Sequence, residues 1–359
     1  MKRFHILVLG VLLAGGCISS DHGGWRPFWW GQVTVESTDF MGWTNSWKLS
    51  NQSCEMIIVP AINHVMSFSL KGGSNLLWIA DDVNGRVVQE PGVKWHNFGG
   101  DKVWPTAMPL WKPLMGRRWP PSYAFDGGRA TAEPIPNGVR MISPEDPDFK
   151  AVCVREFVMD SRKPLVTIHQ YFEKRSGVAM DMSFWTVTQV RRPTVCLLPL
   201  GREENGLRYR KLDNLEPGSF AVHNDVVSLK NDEKVCQKMG VTPDLSLSSG
   251  WVAACFQEDG ALFLQSHQLQ AGVAYPDNGC DAEVFASNRE FGLYCEIELL
   301  GPLLALAPGQ RYTHDVVWQL IPFDPGIPCD ADQLGRTASE AHRLALKRLK
   351  ASAGSHARP

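Results

Sequence analysis

Short runs in which apolar and polar residues alternate, separated by Gly, Pro, Asn or Asp, recur along this chain from Trp47 onward. Residues 47–51, 54–60 and 65–70 alternate with a period of two, and 71–74 reads as a turn before a further run at 75–79. That period puts every second side chain on one face of an extended segment, which predicts strands buried on one side. The pattern lapses over 93–136, where Trp95, Trp104, Trp111 and Trp119 stand among Pro105, Pro109, Pro113, Pro120 and Pro121. Proline supplies no N–H to a ladder, so this stretch predicts a long ordered loop, and such loops usually carry function. Strands are predicted again over 149–159, 166–174, 179–190, 251–258, 261–268, 282–285, 292–300 and 311–320. Only 332–351 patterns as a helix, with Leu344, Ala345 and Leu349 among Arg and Lys. No internal repeat and no break in composition divides the strands. The expectation is one all-β sandwich domain over 46–325, followed by a C-terminal helix and tail over 326–359.

The beginning of the chain departs from this pattern. Lys2 and Arg3 precede an apolar run over 6–13, too short to span a bilayer, and Ala14, Gly15 and Gly16 lead to Cys17. This order predicts a lipoprotein signal peptide over 1–16, cleaved so that Cys17 carries acyl chains and anchors the protein to a membrane. Ile18, where an Asp would retain the protein at the inner membrane, fits delivery to the outer membrane of a cell envelope, facing the periplasm or the cell surface. Residues 17–45, with Trp25, Trp29, Trp30 and Trp43, read as anchor and aromatic linker or arm. No later stretch is long and apolar enough to cross a bilayer as a helix.

Charge and composition narrow the partners. The formal net charge is −2, and loss of Lys2 and Arg3 makes the mature part more acidic still. No basic field is available for phosphates, which excludes nucleic acid as an expected partner. Beyond Cys17 there are Cys54, Cys153, Cys196, Cys236, Cys255, Cys280, Cys295 and Cys329, widely spaced and without a CxxC pair. That spacing excludes the usual zinc sites and leaves disulfides and buried thiols both open. No GxSxG, HExxH, P-loop or dinucleotide fingerprint is present, so neither metal nor cofactor is expected.

What remains is a series of longer strings: Trp47-Lys-Leu-Ser-Asn51, Gly72-Gly-Ser-Asn-Leu-Leu-Trp78, Phe98-Gly-Gly-Asp-Lys-Val-Trp-Pro105, Trp119-Pro-Pro121 with Phe125-Asp-Gly127, Trp185-Thr-Val-Thr-Gln189, and Tyr275-Pro-Asp-Asn-Gly-Cys280 with Glu283. Glu296-Ile-Glu298-Leu-Leu-Gly-Pro302 and Leu306-Ala-Pro-Gly309 with Trp318 continue the series. Together they resemble a family catalogued only as a domain of unknown function, itself similar to galactose mutarotase and the aldose 1-epimerases, over about Trp47 to Leu320. The resemblance implies a galactose mutarotase-like β-supersandwich with a carbohydrate ligand on its concave face.

It also implies a site. Mutarotation needs a base for the anomeric hydroxyl and an acid for the ring oxygen. Glu298 falls where the superfamily's basic Glu would stand, and Glu296, two residues earlier on a strand, shares its face and is the rival. The superfamily's mid-chain His has no counterpart, and Ile62-Asn63-His64 stands where relatives carry Gly-Gly-Arg. Lys102 and His64 are therefore the candidate acids. Asp101 and Lys102 beside Trp104, with Trp119 and Asp126, give the charged and aromatic groups that sugars need. Trp104 and Trp119 read equally as a sugar platform or as a plug for the open end of the sandwich. Trp185, Gln189, Glu283 and Glu296 complete the expected sugar contacts. Because the His and the Arg are missing, the primary reading is a membrane-anchored carbohydrate-binding protein without full epimerase chemistry; the alternative is an aldose epimerase or mutarotase.

Overall fold

The alternating runs become two large antiparallel sheets packed face to face. This computed structural model describes residues 32–88, 95–246 and 249–356; the signal segment, Cys17 and most of the stretch read as an arm lie outside the described residues. One sheet has ten strands, in the order Thr34–Phe40, Trp43–Ser50, Cys54–Val59, His64–Leu70, Asp101–Trp104, Trp185–Val190, Cys295–Leu300, Ala282–Ala286, Gln237–Val241 and Arg210–Lys211. The other has eleven, with Val195–Pro199, Trp251–Phe256, Ala261–His267, Val316–Pro322, Leu165–Lys174 and Ala151–Met159 at its centre.

The apolar faces of both sheets meet in one core. Leu49, Met56, Phe68, Val190, Ile297 and Leu299 come from the first sheet, and Met141, Phe157, Ile168, Phe263, Trp318 and Leu320 from the second. Phe68 touches Phe263 and Trp318 across the interface, with ring centroids 5.4 and 5.5 Å apart. Each such side chain contributes about 1.5–3 kcal/mol of burial, which explains why two sheets this wide stay together. The outer face of the eleven-stranded sheet is covered by the helix Ala331–His356. Leu334, Ala338 and Ala341, on one stripe of that helix, pack on Trp251, Leu262 and Leu264, and a disulfide joins Cys329, just before the helix, to Cys255 beneath it. No helix among the described residues is long and apolar enough to cross a membrane.

Several expectations need correction. The loop read over 93–136 contains a central strand, Asp101–Trp104, bonded to His64–Leu70 on one side and Trp185–Val190 on the other. Its prolines begin only at Pro105, so four consecutive N–H groups were free to pair. The later part of the stretch forms a helical turn at Trp111–Met115 and an edge strand at Thr131–Ile135, where Pro134 is tolerated because one side of an edge is unpaired. Residues 75–79 make only isolated bridges, Leu77 with Val190 and Ile79 with Gly99. The runs 179–190 and 311–320 each break into two strands. The sheet begins at Thr34, within the stretch read as an arm.

Gly99 and Gly100 explain how the Asp101 strand enters between its neighbours. Both have positive φ, at 90° and 68°, and a Cβ would lie 2.2 Å from the Trp78 carbonyl oxygen at Gly99 and 2.3 Å from that of Val65 at Gly100. The glycines admit neighbouring backbone at a distance that any side chain would block.

Candidate functional site

Residues paired directly across an antiparallel ladder project to the same face, so the register decides what meets. One row runs Lys102, Val187, Glu298, Glu283, Gly240, Arg210 across six strands. The neighbouring rows on the same face hold Gln189, Glu296, Phe285 and Lys238, and Trp104, Trp185 and Leu300. This is the outer face of the ten-stranded sheet, away from the core. It gathers Glu283, Glu296, Glu298, Lys102, Trp104, Trp185 and Gln189, all expected from sequence, and adds Lys238, which was not.

Lys238 organises the carboxylates. Its Nζ lies 2.6 Å from Glu283 Oε2, 3.1 Å from Glu298 Oε2 and 3.9 Å from Asp277 Oδ2, and 4.7 Å from the centroid of the Trp185 ring. Glu298 Oε2 also accepts from Trp185 Nε1 at 2.5 Å, and Gln189 Nε2 donates to Glu296 Oε1 at 2.9 Å. Burial opposes charge on Lys238, but the surrounding carboxylates hold it protonated. Burial pushes Glu283 well above the usual carboxylate range in spite of Lys238. Burial, with the Glu298 charge added, raises Glu296 to about 7. Asp277 is raised as well, again chiefly by burial. Among the described residues, five buried polar atoms on this face have no hydrogen-bond partner: Lys102 Nζ, Gln189 Oε1, Glu298 Oε1 and both Glu283 oxygens, of which Oε2 is ion-paired with Lys238 while the other four atoms are not.

Tryptophans wall one side of the cluster. Trp104 meets Trp111 at 5.2 Å, Trp185 at 4.9 Å and Trp119 at 6.2 Å between centroids, and Trp95 meets Trp119 at 4.7 Å. Trp119 is 45% exposed, whereas Trp104, Trp111 and Trp185 are buried. Asp126 fixes the wall. Its Oδ2 accepts from Trp95 Nε1 at 3.1 Å and Trp104 Nε1 at 3.0 Å, and its Oδ1 faces His64 Nε2 at 3.1 Å. Burial tends to raise Asp126, yet the His64 contact holds it below the usual carboxylate range. His64 Nδ1 faces the Gly99 carbonyl oxygen at 2.9 Å. Both ring nitrogens thus lie against oxygens of the fold. His64 and Asp126, expected as acid and sugar contact, are engaged in holding the tryptophans.

Asp101 lies elsewhere. Neighbours on a strand point to opposite faces, so Asp101 enters the space between the sheets while Lys102 faces out. There Asp101 Oδ2 is 2.7 Å from an Arg155 amino group, and Oδ1 accepts from Thr188 Oγ1 at 2.9 Å. A polar chain continues from Arg155 through Gln170, His314 and His267 to Asp281. Arg155 can only donate, so Gln170 Oε1 accepts and Gln170 Nε2 donates to His314 Nδ1. His314 Nε2–H then donates to His267 Nδ1, and His267 Nε2–H to Asp281 Oδ2. Burial keeps His314 well below its ordinary range and lowers His267 to about 3, which agrees with two neutral rings. Burial raises Asp281 to about 8.

Lys238 was missed because a single Lys in Gln237-Lys-Met-Gly240 carries no local signal. Asp277 was within a quoted string, and Trp95 and Trp111 within the Pro and Trp stretch, without being given roles. Among the described residues no group of three or more His, Cys, Asp or Glu is arranged to hold a metal ion.

No family model matches the chain, and no curated protein matches it in sequence. Solved structures do share its fold. A candidate aldose 1-epimerase from Klebsiella pneumoniae superimposes with a TM-score of 0.56 at 10% identity, covering 86% of this chain and 87% of that one. A galactose mutarotase-like protein from Lactobacillus casei gives 0.51 at 7% identity, over 77% and 100%. A TPR-domain containing protein from Parabacteroides distasonis gives 0.53 at 13% identity, over 80% of this chain, which spans only 48% of that protein. At these identities the likeness is one of fold: the architecture is a galactose mutarotase-like β-sandwich with a C-terminal helix.

Proposed function

We propose that this protein binds carbohydrate on the outer face of the ten-stranded sheet, against the tryptophan wall, and that acyl chains on Cys17 hold it on a membrane of the cell envelope, most simply the outer membrane. The observation that carries the binding reading is the set of four unpartnered buried atoms beside Trp104 and Trp185: Lys102 Nζ, Gln189 Oε1, Glu283 Oε1 and Glu298 Oε1. Buried polar atoms are nearly always paired, so an unpaired group of this size marks where a ligand supplies the partners. Three acceptors and one ammonium suit a pyranose, whose hydroxyls donate to carboxyl and amide oxygens while an oxygen lone pair accepts from Lys102. Its C–H face meets an indole. The string resemblance to the family of unknown function, finer than a likeness of fold, belongs to this proposal, and the names of the Klebsiella and Lactobacillus proteins point toward sugars.

A second reading, aldose epimerisation, is favoured by one observation. Glu296 stays near 7 on the same face as Glu298, so this face carries a group that exchanges protons near neutrality, as anomeric chemistry needs. In that reading Glu298 is the base and Lys102 the acid, since His64 has both nitrogens engaged. A glycan array probed with wild type, Glu298→Gln and Lys102→Ala separates the cases when paired with NMR exchange of α and β anomers. Binding is expected to fall by about tenfold or more in both variants; retention unchanged in both removes the site. Anomer exchange faster than the buffer rate, lost in Glu298→Gln, supports the enzyme. Cys17→Ser is expected to move the protein from the membrane fraction to the soluble one, and membrane retention in that variant rejects the anchor.

A further inference from the structure

The register row that begins at Lys102 does not stop at the carboxylates. It passes Glu283 and Gly240 and ends at Arg210 on the edge strand, and Arg210 lines an open cleft of about 1010 Å³ together with Arg202, Thr242, Tyr275, Asn278 and Gly279. The turn Pro276–Gly279 separates the two. Asp277 points from it toward Lys238, 3.9 Å away, while Asn278 and Gly279 line the cleft. Exposure points the same way. Glu283 and Glu298 have no exposed side-chain surface, but Lys238 keeps 16% and Asp277 13%. Trp104, Trp111 and Trp185, which wall the cluster, are themselves buried. The cluster is therefore reached from the Asp277 turn, next to the cleft.

We infer that the ligand is an oligosaccharide, with one unit among Lys102, Glu283 and Glu298 and its following units running past Asp277 into the cleft lined by Arg202, Arg210, Tyr275 and Asn278. This rests on the carbohydrate reading above and adds chain length to it. The cleft is at the upper end of the range for ligand sites and too large for a single pyranose. Its lining mixes exposed Arg202 and Asn278 with Arg210 and Thr242, side chains that can hydrogen-bond the hydroxyls of a second and third sugar. Arg202 and Arg210 are matched by Glu203, Glu204 and Asp244, so the chain it suits is uncharged.

The test is an array on which each sugar type is present from monosaccharide to tetrasaccharide, probed with the full chain in detergent and with two variants, Arg202→Ala and Asn278→Gly. Both residues are exposed, and glycine keeps the left-handed backbone of Asn278, at φ 59°. The expected result is retention that rises by roughly tenfold from monosaccharide to trisaccharide, with that ratio shrinking in both variants. Equal retention of monosaccharide and longer chains overturns the inference and leaves carbohydrate binding standing. A length ratio that neither variant changes overturns the assignment to this cleft. An array on which nothing is retained fails the carbohydrate reading itself.

Discussion

Lys238 holds one positive charge among Glu283, Glu298 and Asp277, all more than half buried in the sheet's outer face. Removing one partner of a buried ion cluster strands the others, which costs about 3–5 kcal/mol. Lys238→Met is therefore expected to lower the melting temperature by several degrees, and adding Glu298→Gln to it should recover part of the loss. A double variant no more stable than Lys238→Met argues against the cluster. Alternation along residues 295–300 already put Glu296 and Glu298 on one face, and that much was legible. Asp101 and Lys102 show the opposite case. Read within a long loop, they stood together beside Trp104; on a strand they must diverge, and only the pairing with Thr188 and Val187 revealed a strand.

Among the elements, the tryptophan segment holds its shape through Asp126, which ties Trp95 and Trp104 to His64 at the end of another strand. Asp126→Asn leaves one side-chain oxygen where Trp95, Trp104 and His64 now share two. The expected loss is about 3 kcal/mol, accompanied by a weaker near-ultraviolet circular dichroism signal as the indoles lose their fixed contacts. An unchanged signal would mean that packing alone orders them. The richness of this segment in Trp and Pro was plain in the sequence, yet its Asp101–Trp104 strand was not, because four residues are too few to display a period. The C-terminal helix was legible from Leu344, Ala345 and Leu349 among Arg and Lys; the structure buries Ala345 and Leu349 and leaves Leu344 exposed, with Leu334, Ala338 and Ala341 carrying the rest of the packed stripe.

At the scale of the whole molecule, the two sheets are joined by apolar packing and by the chain from Asp101 to Asp281. Asp281 titrates at about 8 in the fold against about 4 when unfolded. A raised carboxyl pKa means that the unfolded chain gives up its proton first, so this group's stabilising contribution is whole below about pH 4 and is lost as pH rises toward 8. Burial keeps His267, His314 and His342 neutral in the fold above pH 6.5, and in the unfolded chain they titrate alike in wild type and variant. Asp281→Asn should then gain on the wild type by roughly 1.4 kcal/mol per pH unit between pH 6.5 and 8. A gap between the two that is independent of pH in urea titrations would show that Asp281 is ionised in the fold. The sequence by itself determined that the chain makes strands with one polar face and a terminal helix, because side-chain period and helical stripe are local properties. Which polar faces met, which carboxylates shared a lysine and which histidines formed a chain were decided by tertiary structure alone. Those contacts depend on strand order and register between segments that are mostly tens of residues apart, up to 144 for Gln170 and His314, and no local pattern encodes them.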